Sequence, residues 1–229
     1  MAEFAKANYV LYNYKIPRPE RERQIAEIIP PGYVLHNQSN RDVALFTNAD
    51  TGHAVVSHRG TDLSNKKDIA ADLMFMGNME NHNKEFQKRT KKTEKLLGLV
   101  DPKYSITLQG HSYGGASALN SAMKSGKIRN KIDEISLYNP LNAGKHTSQK
   151  VHTFKGETED EAKAMLHDLT TTHRTKNDIV SANKTEYGKT KHYKQKAGIH
   201  PKVKKIPAAF KNSLKKLDQL GAHSLNNFI

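Results

Sequence analysis

Between Leu108 and Ser117 the chain reads LQGHSYGGAS, a serine with glycine two residues to either side, set between an apolar run and a cluster of small residues. This stretch restricts the fold more than any other. Tyr104 to Gln109 alternates as a strand, and Gly114 to Lys124 has the spacing of a helix, so Gly110-His111-Ser112-Tyr113-Gly114 joins the two as G-x-S-x-G. A serine on such a corner takes a strained backbone conformation, and residues two positions away must be small to avoid each other and the neighbouring strands. Gly110 and Gly114 meet that need, while Gly115, Ala116 and Ala118 let the helix lie close to the sheet. The helix N-terminus directs N–H groups and partial positive charge at Ser112, and the N–H of Tyr113 becomes a candidate oxyanion donor. A glycine-rich turn without chemical role fits the same five residues. A phosphate-cradling loop fits less well, because no G-K-[ST] follows.

The surrounding pattern sets the class. Ala2 to Ile29 is weakly helical and ends at Pro30-Pro31; Val34, Val43 to Phe46 and Ala54 to Ser57 read as short strands, the last two flanking the hairpin sequence NADTG. In KEFQKRTKKTEKLLG, Phe86, Thr93 and Leu97 recur at helical spacing and Gly98 supplies a stop. Ile132 to Tyr138 reads as a further strand, stopped by Asn139-Pro140. Strand, helix and strand in succession predict an α/β fold, a mostly parallel sheet covered by helices. At 229 residues the expectation is one domain spanning 1–229. Within it, Lys184 to Lys216 is lysine-rich, with Glu186 as its one acidic residue; Phe210, Leu214 and Leu217 share a helical stripe ended by Gly221.

Charge and composition narrow the partners. Lys+Arg 37 against Asp+Glu 23 gives +14, a basic surface suited to acidic partners. The absence of cysteine excludes disulfides, thiolate nucleophiles and cysteine zinc sites, and fits a reducing compartment. MAEFAKANYV carries no long apolar segment and no window reaches the length of a membrane span, so a soluble, cytoplasmic protein is expected.

A serine hydroxyl needs a general base, usually histidine, oriented by a carboxylate. On an elbow of this kind the chain order is serine, acid, histidine. Asp178 in RTKNDIVSA is the best acid, following a short predicted strand, His173 to Thr175, since the carboxyl ends of strands carry ligands and catalytic groups in α/β sheets. Of the histidines after it, His192 and His200 lie among lysines and read as solvated, which favours His223, on a loop before Leu225 and Phe228. For a second oxyanion donor, VVSHRGTD ends a strand with Gly60 and offers Thr61. An ordinary strand-ending turn accounts for those residues equally well.

Together these pieces resemble the class 3 (fungal-type) lipases of the α/β-hydrolase superfamily. HRGTDLSNKKDIAADLMF, His58 to Phe75, is similar to that family's aromatic-R-G-[ST] turn, lid segment and A-D-L motif; GHSYGG, LYNP, NDIV and HSLNNF match its nucleophile, proline-ended strand, aspartate loop and late histidine. The resemblance runs from about Val43 to the C-terminus. It implies an α/β-hydrolase fold with a nucleophile elbow, a Ser112, Asp178, His223 triad, Thr61 and Tyr113 as oxyanion residues, and hydrolysis of carboxylic esters, lipids among them, without cofactor or metal. Three features depart from the pattern: His58 stands in place of the aromatic, the lid residues Asp62 to Lys67 are short and polar, and the lysine-rich stretch has no counterpart. The lysines suit an anionic membrane surface. Nucleic acid is disfavoured as a partner, because only Tyr187 and Tyr193 lie among them. An acyltransferase would use the same residues, and a catalytically inactive binding protein would use only the basic face.

Overall fold

The computed structural model describes residues 2–13, 15–60, 84–141, 151–176 and 187–194. The N-terminal region, expected as one weakly helical stretch, forms two helices, α1 (Ala2–Tyr12) and α2 (Arg18–Ile28). Pro17 caps α2 and Pro19 sits in its first turn, where a missing N–H is harmless; continued through α1, the same prolines would have broken the hydrogen-bond ladder.

Three antiparallel strands follow: β1 (Val34–Leu35), β2 (Val43–Asn48) and β3 (His53–His58), with the predicted hairpin turn between the last two. Next come α3 (Lys84–Leu97), β4 (Ser105–His111), α4 (Tyr113–Lys124), the short α5 (Gly126–Arg129), β5 (Glu134–Tyr138), α6 (Glu159–Leu169), β6 (Thr170–Thr175) and β7 (Lys189–Tyr193). From β3 to β7 every pairing is parallel, and the strands lie in one sheet in their order along the chain. This is the mostly parallel, helix-flanked α/β sheet expected from the sequence.

Both faces of the sheet are covered, so β2 and β3 are buried along most of their length, with consecutive apolar runs, Val43 to Phe46 and Ala54 to Val56, in place of alternation. Val43, Leu45, Ala54 and Val56 join the larger core with Leu96, Leu108 and other side chains from α3, α4 and α6. Their neighbours Ala44, Phe46 and Val55 point the other way and pack on Phe4, Ala7 and Ile25 of α1 and α2. In α3, Phe86, Thr93 and Leu97 are all buried, as their spacing predicts.

α6 was not anticipated. It opens with a capping box in which Thr158 and Glu161 satisfy each other's backbone N–H groups, a T-x-x-E signal present in the sequence. β7 was also not anticipated. It lies within the lysine-rich stretch, and Lys189, Lys191 and His192 are exposed on it, so lysine charge guards the outermost strand of the described sheet. Among the described residues no helix is long and apolar enough to cross a membrane.

Candidate active site

Ser112 occupies the corner between β4 and α4 with φ 56° and ψ −126°, a left-handed backbone that an L residue adopts at a cost of order 1–3 kcal/mol. Its surroundings hold it there. Its N–H donates to the carbonyl of Tyr138 (3.0 Å), and its carbonyl accepts from Leu141 (3.1 Å) and Ala116 (3.2 Å), so β5 and α4 grip the corner from two sides.

The flanking glycines are required by space. A Cβ on Gly110 would lie 2.3 Å from the carbonyl carbon and oxygen of Gly114, and a Cβ on Gly114 would lie 2.3 Å from the carbonyl oxygen of His58. The first contact closes the corner on itself. The second packs the start of α4 directly onto the turn that follows β3. That turn also touches the residue before the serine, since a Cβ on Gly60 would meet the carbonyl of His111 at 2.7 Å. The chain therefore leaves the described residues at Gly60, beside the corner, and its next residue is Thr61.

The turn is fixed by buried polar groups. His58 is fully buried and bonds Thr93 of α3 (Nε2, 2.8 Å) and Ser117 of α4 (Nδ1, 2.9 Å). The Thr93 hydroxyl donates to the carbonyl of Arg89, so it accepts from His58 Nε2–H, and Nδ1 accepts from Ser117. Burial, with the charge of Arg89 adding to it, holds His58 neutral by lowering its pKa well below the ordinary 6.5. His58 thus acts as a neutral clamp with both ring nitrogens bonded. Arg89 Nη1 donates to the carbonyl of Arg59 (2.6 Å), and both arginines share Asp42 Oδ1 at 3.4 Å. Burial works to raise the pKa of Asp42, but Arg89, Arg59 and Arg41 overcome it and keep the carboxyl below its usual value. Sequence reading missed this buried group, because Asp42, Arg59 and Arg89 are far apart in the chain.

Tyr113 opens α4, so its N–H is one of those a helix cannot bond internally. Its ring stands edge-on to Phe86 at 5.1 Å and takes the Arg89 guanidinium on its face at 4.8 Å, which anchors the residue whose N–H is the candidate donor. Tyr9 of α1 was also missed. Its hydroxyl lies 3.2 Å from His111 Nδ1 and rests against Gly60, so the N-terminal helix reaches the same corner.

At the far side, Asn139 follows β5 with φ 41°. Its N–H donates to His173 O (2.8 Å), while its Oδ1 accepts from Thr175 N–H (2.8 Å) and its amide donates to Thr175 Oγ1 (3.3 Å). The carboxyl end of β6 is thereby tied beside the serine corner, three residues before Asp178. Thr61, Asp178, His200 and His223 lie outside the described residues, as do the lid residues 62–67 and the helical stripe at 210–217. Of the predicted site residues, Ser112 and Tyr113 are therefore the described ones, and they adjoin. Among the described residues no cluster of His, Asp and Glu has the makings of a metal site.

No protein-family model and no curated protein matches the chain. Solved structures to which it is similar include the lipase from Rhizopus microsporus var. chinensis, at 15% identity over 86% of this chain and 75% of that one, TM-score 0.42. Others are MDLA from Penicillium cyclopium, solved as a point mutant, at 13% identity over 86% and 78%, TM-score 0.47, and lipase II from Rhizopus niveus, at 14% identity over 79% and 73%, TM-score 0.40.

Proposed function

We propose that the chain is a serine carboxylic-ester hydrolase acting through an acyl-enzyme, with Ser112 as nucleophile, His223 as general base and Asp178 orienting the imidazole. His223 takes the Ser112 proton as the oxygen attacks the ester carbonyl. The N–H groups of Thr61 and Tyr113 receive the developing oxyanion. The leaving alcohol collects the proton from His223, and water, deprotonated by the same ring, clears the acyl group. Asp178 keeps the ring in the tautomer that presents its lone pair to Ser112 and stabilises it when charged.

The observation carrying this reading is the backbone of Ser112, left-handed at φ 56° on a strand-to-helix corner and wedged by Gly114 against His58. Strain of that kind persists only where the surroundings impose it, and here it falls at the carboxyl end of β4, between the carboxyl ends of the parallel β3 and β5. The proposed substrates are lipid or small esters. The polar lid residues argue for weak interfacial activation. A basic surface would hold the enzyme at anionic phospholipid, each lysine near such a membrane contributing about 1 kcal/mol.

The test is hydrolysis of a short-chain p-nitrophenyl ester by the parent chain and Ser112→Ala. The variant is expected to lose turnover by several orders of magnitude with its fold intact by circular dichroism. Unchanged hydrolysis by Ser112→Ala contradicts the reading; once turnover is shown to depend on Ser112, a panel of phospholipid and small esters defines the substrate class.

A further inference from the structure

The register of the parallel sheet carries β7 to the level of the serine corner. His111, Tyr138, His173 and Lys191 pair in turn, so they form one row across β4 to β7 and share a face of the sheet. Ser112 directly follows the first of them. At about 4.8 Å between strands, Lys191 stands about 14 Å from His111 along that row. Lys176 and Lys194 each come three residues past the row, on the side toward which the chain leaves β4 for Ser112. The half-buried Tyr193 holds this margin in place, its hydroxyl 2.9 Å from His173 Nδ1 and its carbonyl accepting the N–H of Lys176 (2.9 Å).

The lysine charges here are not spent on partners. Lys176, Lys189, Lys191 and Lys194 are exposed, and among the described residues none of the four meets a carboxylate. The carboxylates whose charge acts on this part of the molecule are Glu134 and Glu3. Glu134 opens β5, at the other end of that strand, and accepts the Ser136 hydroxyl at 2.8 Å; Glu3 belongs to α1. Along residues 170–194 the sequence adds Arg174 and Lys184 against Asp178 and Glu186, so the segment is basic as a whole.

Lysines on an outermost strand deter pairing with another chain, which accounts for Lys189 and Lys191. It does not account for Lys176 and Lys194, which lie past the ends of β6 and β7. An anionic bilayer meets an open basic margin of this kind as an extended sheet of charge, whereas nucleic acid asks for rings that bases can stack on. Tyr193 is turned onto His173 and Tyr187 is buried, so the tyrosines beside these lysines are placed for packing.

We propose that the margin bearing Lys176, Lys191 and Lys194 is the surface by which the protein docks on anionic phospholipid, with the serine corner turned toward the bilayer. The docking itself needs no catalysis; that it brings Ser112 to its substrate rests on the hydrolase reading.

The full chain carrying Ser112→Ala, which leaves the lipid intact, is sedimented with vesicles of phosphatidylcholine alone and of phosphatidylcholine with phosphatidylglycerol. Binding is expected to the second only, and to fall as salt is raised. Lys191→Gln with Lys194→Gln should weaken it about 25-fold, about fivefold for each lysine. Both side chains are exposed, so the variant should fold, which its thermal midpoint checks. Lys103→Gln removes one charge from the exposed turn before β4, at the opposite end of the sheet, and should bind as the parent does. The proposal is overturned if phosphatidylglycerol adds nothing, if Lys103→Gln weakens binding as much as Lys191→Gln alone, or if the double variant keeps its vesicle binding and loses binding to a single-stranded oligonucleotide instead. Hydrolysis of a soluble ester by the parent without vesicle binding would remove this surface and leave the hydrolase standing; vesicle binding by a parent that hydrolyses no ester would do the reverse.

Discussion

Asn139 Oδ1 accepts the backbone N–H of Thr175 at 2.8 Å, a side-chain tie that extends the contact of β6 with β5 beyond the last paired residues, Tyr138 and His173. On the proposed reading, in which Asp178 three residues later is the acid, Asn139 would be a positioning residue for it. Asn139→Gly keeps the left-handed backbone and removes only the clamp; it is expected to leave a buried N–H unsatisfied, at about 1–3 kcal/mol, and to lower kcat by roughly 10- to 100-fold with KM little changed. Urea unfolding and steady-state kinetics check both numbers. A variant with parental kcat would separate the clamp from catalysis.

Gly114→Ala places a methyl 2.3 Å from the carbonyl oxygen of His58, a backbone atom that cannot rotate away. The expected outcome is loss of ester hydrolysis together with a marked fall in urea midpoint. Ala at Gly52, whose Cβ position is open, should retain activity, with only the strain of its φ of 58° to lower stability.

How much of this was legible in the sequence follows the range of the interactions. The corner at Ser112 was readable because its requirement is local: glycines two residues away and small residues after it. The hairpin at Asn48 to Gly52 and the buried stripe of α3 were readable for the same reason. β7 was not, since an edge strand with exposed lysines shows no apolar alternation. Nor was the group of Asp42, Arg59 and Arg89, whose members meet only once three elements have packed. α6 is different, for its Thr158 and Glu161 capping pair was present and overlooked.

Asp42→Asn should be among the most damaging substitutions away from the serine. It leaves the buried Arg59 and Arg89 without their shared anion, and breaking a buried pair in this way costs about 3–5 kcal/mol. Chemical denaturation measures it. A change below about 1 kcal/mol would mean that the arginines find other partners.

Acid should destabilise the fold through its neutral histidines. Burial, reinforced by Lys191, lowers His173 from 6.5 to about 4, and burial with the charge of Arg89 lowers His58 in the same sense. Between those values the unfolded chain binds more protons than the folded one, so stability is full above 6.5 and falls as pH drops toward 4. The urea midpoint followed across that window should decline, and His173→Gln should flatten part of the slope. A midpoint that does not change with pH would contradict the assignment of both rings as neutral.

The central claim is that the hydroxyl of Ser112 is an activated nucleophile. Treatment with a fluorophosphonate, followed by peptide mapping, measures this most directly. One phosphonylated residue is expected, Ser112, with the label gained at the same rate as ester hydrolysis is lost. An intact chain that stays unlabelled, or that carries the adduct on another serine while hydrolysis is lost, would contradict it.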